Sequence, residues 1–310
     1  MTNNKLIIKN WVGRTGNNII SLLNALFISV YNNYNLSFPK HSFLNTTSIT
    51  FDNCNTNVKI HDENNTFFFK SKLKNINDIM FYDKNTQENV YKIMKKMCSI
   101  KIPYKENNDL VIHIRSGDQF DNRKCFSTSH YLAPPFYYYD TILSNNNFDN
   151  IYIIAEDNKN PVIQKLCKKY PNIKFEIQSL EKDIKILLSS SNVIFSAGTF
   201  LNLLVFSENI RTVYFPKYIK KDLNINHPIF DTESGYMYIN DIYCIRLLNL
   251  NIKSIYIDLE DYPQKMCKSQ NKIECLLNYK IDTKFIINKY FNYFNNNLNI
   301  ITQNLIELKH

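Results

Sequence analysis

The chain has 310 residues, 44 % of them hydrophobic, 14 % aromatic and 21 % charged, which is enough for one large or two medium domains with full cores and excludes disorder over most of its length. The net charge of +9 comes from lysines scattered singly, with no Arg-rich arm, zinc-finger spacing or RNP-type motif, so it supports a general attraction for acidic ligands and argues against a nucleic-acid partner. No stretch has the length and apolarity of a membrane span or a leader, and Cys54, Cys98, Cys125, Cys167, Cys244, Cys267 and Cys275 form no CxxC pair, so the expectation is reduced thiols in a cytoplasmic protein with no membrane span.

In chain order, Lys5 to Lys9 reads as a short strand, followed by the turn Gly13-Arg-Thr-Gly-Asn-Asn18 and a helix over Ile19 to Tyr31. Apolar residues at 19, 20, 22, 23, 26, 27 and 30 cover a wide face and predict deep burial. Short β-like runs alternate with Asn, Asp and Thr loops from Leu36 to about Phe69, and Thr86 to Cys98 is again helical in pattern. Strands are expected at Leu110 to Arg115, Ile151 to Ala155, Ile173 to Ile177, Val193 to Phe195 and Thr212 to Phe215. The helices between them are expected over Pro135 to Leu143, Val162 to Tyr170, Leu180 to Leu188 and Thr199 to Ser207. This alternation predicts βαβ units and a doubly wound parallel sheet buried on both faces. Beyond Pro216 the regularity fades. One more strand fits Ile252 to Ile257, and a long amphipathic C-terminal helix fits Lys284 to Leu308.

The chain holds only five glycines, at 13, 16, 117, 198 and 235, where about twenty would be usual. In a composition this poor in glycine, the survivors mark backbone that needs a positive φ or a close approach. Gly13 and Gly16 lie in a strand-to-helix turn whose N–H groups and helix dipole favour an anion, although read alone this segment fits a tight turn N-capped by Asn17 or Asn18 better. His113-Ile-Arg-Ser-Gly-Asp118 ends an otherwise apolar strand, with His113 and Arg115 on one face by the period of two. Arg115 offers a permanently charged fork suited to phosphate, and Asp118 is either part of the site or its structural partner. Ser196-Ala-Gly-Thr199 is another strand-to-helix turn, with Thr199 as a phosphate contact or an N-cap. Glu156 and Asp157 follow a strand where a carboxylate can accept from a ribose or a base; read alone, the segment fits exposed loop acids equally well. All these groups fall at carboxyl ends of strands, where open parallel sheets bind ligands, and together they point to a nucleotide with phosphates.

In this order the segments resemble the fucosyltransferase superfamily of α-1,2-, α-1,6- and protein O-fucosyltransferases. Those enzymes share a glycine turn followed by Asn, an HxRxGD-like motif, an acidic segment after the next strand and a Ser/Thr-rich strand-to-helix turn. The likeness spans about residues 5 to 216 and includes the Pro-Pro stretch Tyr131 to Tyr137. It implies a GT-B-like α/β fold of two Rossmann-like domains with parallel sheets. The implied division is an acceptor-side domain over 1–108, a nucleotide-sugar domain over 109–220 and a C-terminal extension with a helix over 221–310. It implies an inverting fucosyltransferase with GDP-fucose as donor, no cofactor and no required metal, and a glycan or protein hydroxyl as acceptor. Its catalytic residues would be Arg115, Asp118 and Asn17. Its donor contacts would be Gly13, Arg14, Gly16, Asn18, His113, Glu156, Asp157, Ser196, Gly198 and Thr199. The general base is open between Asp118 and Asp121. The tryptophans common after the Ser/Thr turn in α-1,2 enzymes are missing here, which leaves the linkage open. Alternatives are a transferase for another nucleotide sugar and a non-catalytic nucleotide- or sugar-binding protein.

Overall fold

A computed structural model describes residues 5–51, 59–61, 83–120, 133–217, 252–259, 262 and 271–280. The C-terminal helix expected over Lys284 to Leu308, Asp121 and Gly235 lie outside these residues.

The N-terminal part is a small sheet with one long helix. Strand β1 (Lys5–Ile7) pairs in parallel with β2 (Asn35–Ser37) and β4 (Lys59–His61), and the two-residue β3 (Ser48–Ile49) adds antiparallel to β2. Helix α1 runs Thr15–Asn32 and buries Ile19, Leu22, Leu23, Leu26 and Phe27, the face its apolar spacing predicted. It ends at Asn33, whose φ of 56° opens a left-handed cap that returns its N–H to the last turn. The expected Asn17 or Asn18 cap does not form at the other end. The helix starts earlier, so both asparagines lie in its first turn and Arg14 occupies the cap position without a side-chain bond. Helix α2 (Lys84–Met97) starts at Asp83, whose carboxylate accepts from Thr86 N–H.

The larger part is a fully parallel sheet. Its strands are β5 (Leu110–His113), β6 (Ile151–Ile154), β7 (Ile173–Phe175), β8 (Asn192–Ile194), β9 (Thr212–Lys217) and β10 (Lys253–Asp258), in the order β10-β9-β8-β5-β6-β7. Counting β5 as first, the order is 3-2-1-4-5-6, a Rossmann-like arrangement whose direction of winding reverses between β5 and β8. The chain therefore returns to the sheet beyond residue 220, and the segment expected as a C-terminal extension supplies the edge strand β10.

Alternation along the strands splits the core. Val111, Val193, Phe195, Val213 and Phe215 face the N-terminal part and share one apolar cluster with α1 and α2. Helix α5 (Leu180–Ser189) closes that face with Ile184, Leu187 and Leu188. Leu110, Ile112, Ile114, Ile153 and Ile194 face the other way, under α3 (Phe136–Ser144), α4 (Pro161–Lys169) and α6 (Lys272–Asn278). The run expected as an α-helix from Thr199 is a 3-10 helix over Phe200–Phe206, nearly all of it buried against α1, α2 and α5. Among the described residues no helix is long and apolar enough to cross a membrane.

Candidate functional site

The carboxyl ends of β5, β6 and β8 meet at the reversal point, and their loops are bonded to one another. Arg115 is held by its backbone from both sides: its N–H donates to Ser196 Oγ at 3.1 Å, and its carbonyl accepts from Asn160 Nδ2 at 3.0 Å. Ser116 Oγ donates to Asp157 at 2.5 Å and accepts from the N–H of Asn160 at 3.0 Å. The segments expected to converge, 113–118, 155–157 and 196–199, do so.

The turn after β1 joins them from the N-terminal sheet. A Cβ added at Gly16 would lie 2.5 Å from the backbone of Thr199, so only glycine lets the start of α1 approach the β8 loop this closely. Thr199 Oγ1 then donates to Asn17 Oδ1 at 2.5 Å. Gly198 at φ 93°, like Gly13 and Gly117, takes a backbone conformation that side chains disfavour. The glycines at 13, 16, 117 and 198 thus stand where the backbone needs a positive φ or a close approach.

Between these loops lies a cavity of about 320 Å³, within the usual range for small-molecule sites. Arg14, Thr15 and Gly16 line it from the start of α1, with His113 at the end of β5 and Arg115 two residues beyond the strand, which stops short of its expected end. Glu156 lines it after β6, and Gly198, Thr199 and Phe200 after β8. Charges alternate across its mouth. Arg115 Nη2 is 2.6 Å from Asp118 Oδ1, Arg14 Nη2 is 3.6 Å from that same oxygen, and Arg14 Nη1 is 2.5 Å from Glu156 Oε2. The two arginines differ in mounting. The side chain of Arg115 is 21 % exposed and that of Arg14 is 55 %.

His113 is buried between the parallel rings of Phe195 and Phe200, at centroid distances of 5.7 and 5.0 Å. Burial, with the Arg115 charge beside it, pushes its pKa down to about 3, so the ring is neutral at physiological pH. Its Nδ1 has no hydrogen-bond partner among the described residues.

Several expected contacts have other work. Asp157 does not line the cavity: its carboxylate accepts from Ser116 Oγ and from the N–H groups of Gly117 and Lys159. Burial raises its pKa, but these hydrogen bonds together outweigh that and hold it below the ordinary value. Asp157 is thus a brace between the β5 and β6 loops. Ser196 is fully buried and holds the Arg115 backbone. Thr199 makes no capping bond to the helical run that follows it. Asn17 bonds to Thr199 rather than facing the cavity, and Asn18 is buried.

The residues that sequence reasoning missed are at the β7 end. Gln178, Leu180 and Asp183 complete the cavity wall. Asp183 lies in the first turn of α5, and burial raises its carboxyl to about 6 while a hydrogen bond from Gln178 pulls it partly back. Strand order was the signal that could have found them: β7 lies beside β6, so its carboxyl end belongs to the same rim.

Neither a protein-family model nor a curated protein matches the chain.

Proposed function

We propose that the chain is an inverting glycosyltransferase with a GT-B-like pairing of its two sheets and a nucleotide sugar as donor. The observation that most supports this reading is the gathering of β5, β6 and β8 loops with the start of α1 around one cavity at the reversal point, with Arg115 clamped there by its backbone. Sheets of this order bind nucleotides in that crevice.

In this reading the diphosphate lies over Arg115 and Arg14, against the N–H groups at Thr15 and Gly16 that open α1. Glu156 follows the strand next to β5, the position from which such sheets offer a carboxylate to a ribose. The base reaches the β7 end. Guanine presents two adjacent N–H donors to the acceptors of Asp183, whereas uracil presents only one. The likeness to fucosyltransferases and this carboxylate together favour GDP-fucose. Inversion then requires an acceptor hydroxyl to attack the anomeric carbon opposite the diphosphate, giving up its proton to a carboxylate base or to solvent as the new C–O bond forms. The bond to the β-phosphate breaks, and the charge gathering on the leaving group is met by the fixed Arg115 fork. Asp118, already engaged by Arg115, orients that fork rather than serving as the base.

The test is the melting temperature with GDP, GDP-fucose, GDP-mannose and UDP, since only ligands of the native state raise it. A rise with the GDP compounds above that with UDP, together with release of GDP from GDP-fucose, is expected. Equal indifference to all four overturns the reading.

A further inference from the structure

We infer that the carboxyl edge of the small sheet is a saccharide subsite and that Trp11 is its stacking platform. The inference rests on the transferase reading above for the expectation of an acceptor sugar.

Trp11 is the only tryptophan in the chain. It follows β1, is half-buried, and its indole N–H donates to the Lys40 carbonyl at 3.2 Å. Its ring meets His41 edge-on at 5.5 Å and 84°, and Phe38 at 6.1 Å and 47°. Phe38 and His41 follow β2, the parallel partner of β1. The aromatic group therefore lies at the carboxyl ends of two adjacent parallel strands, on the edge of the small sheet from which the turn to Arg14 also leaves.

The group is rigid. Tying back the indole N–H fixes both torsions of the side chain, so little conformational freedom is left to lose on binding. His41 accepts the Phe43 N–H on Nδ1 at 3.2 Å, and burial lowers its pKa. It is accordingly neutral, with its proton on Nε2. The electron-rich indole face suits the C–H face of a pyranose, whose hydrogens carry slight positive charge. Three residues further along, the same segment reaches Arg14 on the wall of the donor cavity. A sugar on Trp11 would therefore sit at the rim across which transfer takes place.

With one tryptophan, emission reports on this subsite directly. The protein is titrated with lactose, chitobiose and methyl α-mannopyranoside, with and without GDP. At least one sugar is expected to change the emission saturably. Calorimetry should show that sugar's affinity falling about tenfold in Trp11→Ala and largely restored in Trp11→Phe, with the thermal shift by GDP unchanged. A purely structural tryptophan would not give sugar-selective loss with aromatic rescue. No saturable change with any of the three sugars, or equal sugar affinity in Trp11→Ala, overturns the proposal. The emission titration needs no variant to fold. A sugar response without a GDP response removes the transferase reading and leaves the subsite; a GDP response without a sugar response does the reverse.

Discussion

The two arginines at the cavity mouth carry the same charge on very different mountings. Arg115 lies two residues beyond β5 of the central sheet, its N–H and C=O bonded to Ser196 and Asn160 and its guanidinium paired with Asp118. Arg14 sits on the turn after β1, more than half exposed, and reaches across to Glu156 and Asp118. A preorganised cation pays little to meet a developing charge, whereas an exposed one must exchange water and counter-ions first. In the proposed transferase this contrast would give transition-state stabilisation to the braced side and adjustable substrate contact to the open side.

The largest effect that would break this contrast is in Arg115→Ala. Transfer should fall about a hundredfold or more, in kcat rather than in KM, because a fixed donor of this kind is worth on the order of 3 kcal/mol. The melting temperature should stay close to wild type, and a folded variant with near-normal turnover would remove the distinction. Next comes Asp183. Its carboxyl is raised to about 6 in the unliganded protein, so acceptance of guanine N–H groups requires losing a proton below that pH. Affinity for GDP should accordingly hold at neutral pH and fall about tenfold by pH 5, and Asp183→Asn should weaken GDP about as much while flattening that pH profile. Calorimetric titration across pH checks both. The smallest effect is expected for Glu156→Gln. It breaks an ion pair between half-exposed groups, worth no more than about 1 kcal/mol, and should change GDP affinity a few-fold with stability unmoved. If Glu156→Gln proved as damaging as Arg115→Ala, the open side would be as rigid as the braced one.

The sheet was legible because each strand is a short apolar run bounded by helix signals, and the cavity because four of the five glycines cluster at strand ends. What stayed hidden depends on partners distant in the chain. Glu156 and Asp157 are adjacent and chemically alike, yet one faces the cavity and the other is consumed by Ser116 and two backbone N–H groups. Nothing local distinguishes them. Asp183 looks like an ordinary acidic residue in a helix's first turn, and only the order of strands brings it to the rim. The run after Thr199 has helical periodicity but winds tighter, its residues wedged between three helices.

The most direct test of the central claim is the crystal structure of the complex with GDP. The diphosphate should lie within hydrogen-bond distance of the Arg115 guanidinium and the α1 N-terminus, with the base toward Asp183. A diphosphate bound away from Arg115, or a nucleotide running toward β9 instead of β7, would rule out this donor site.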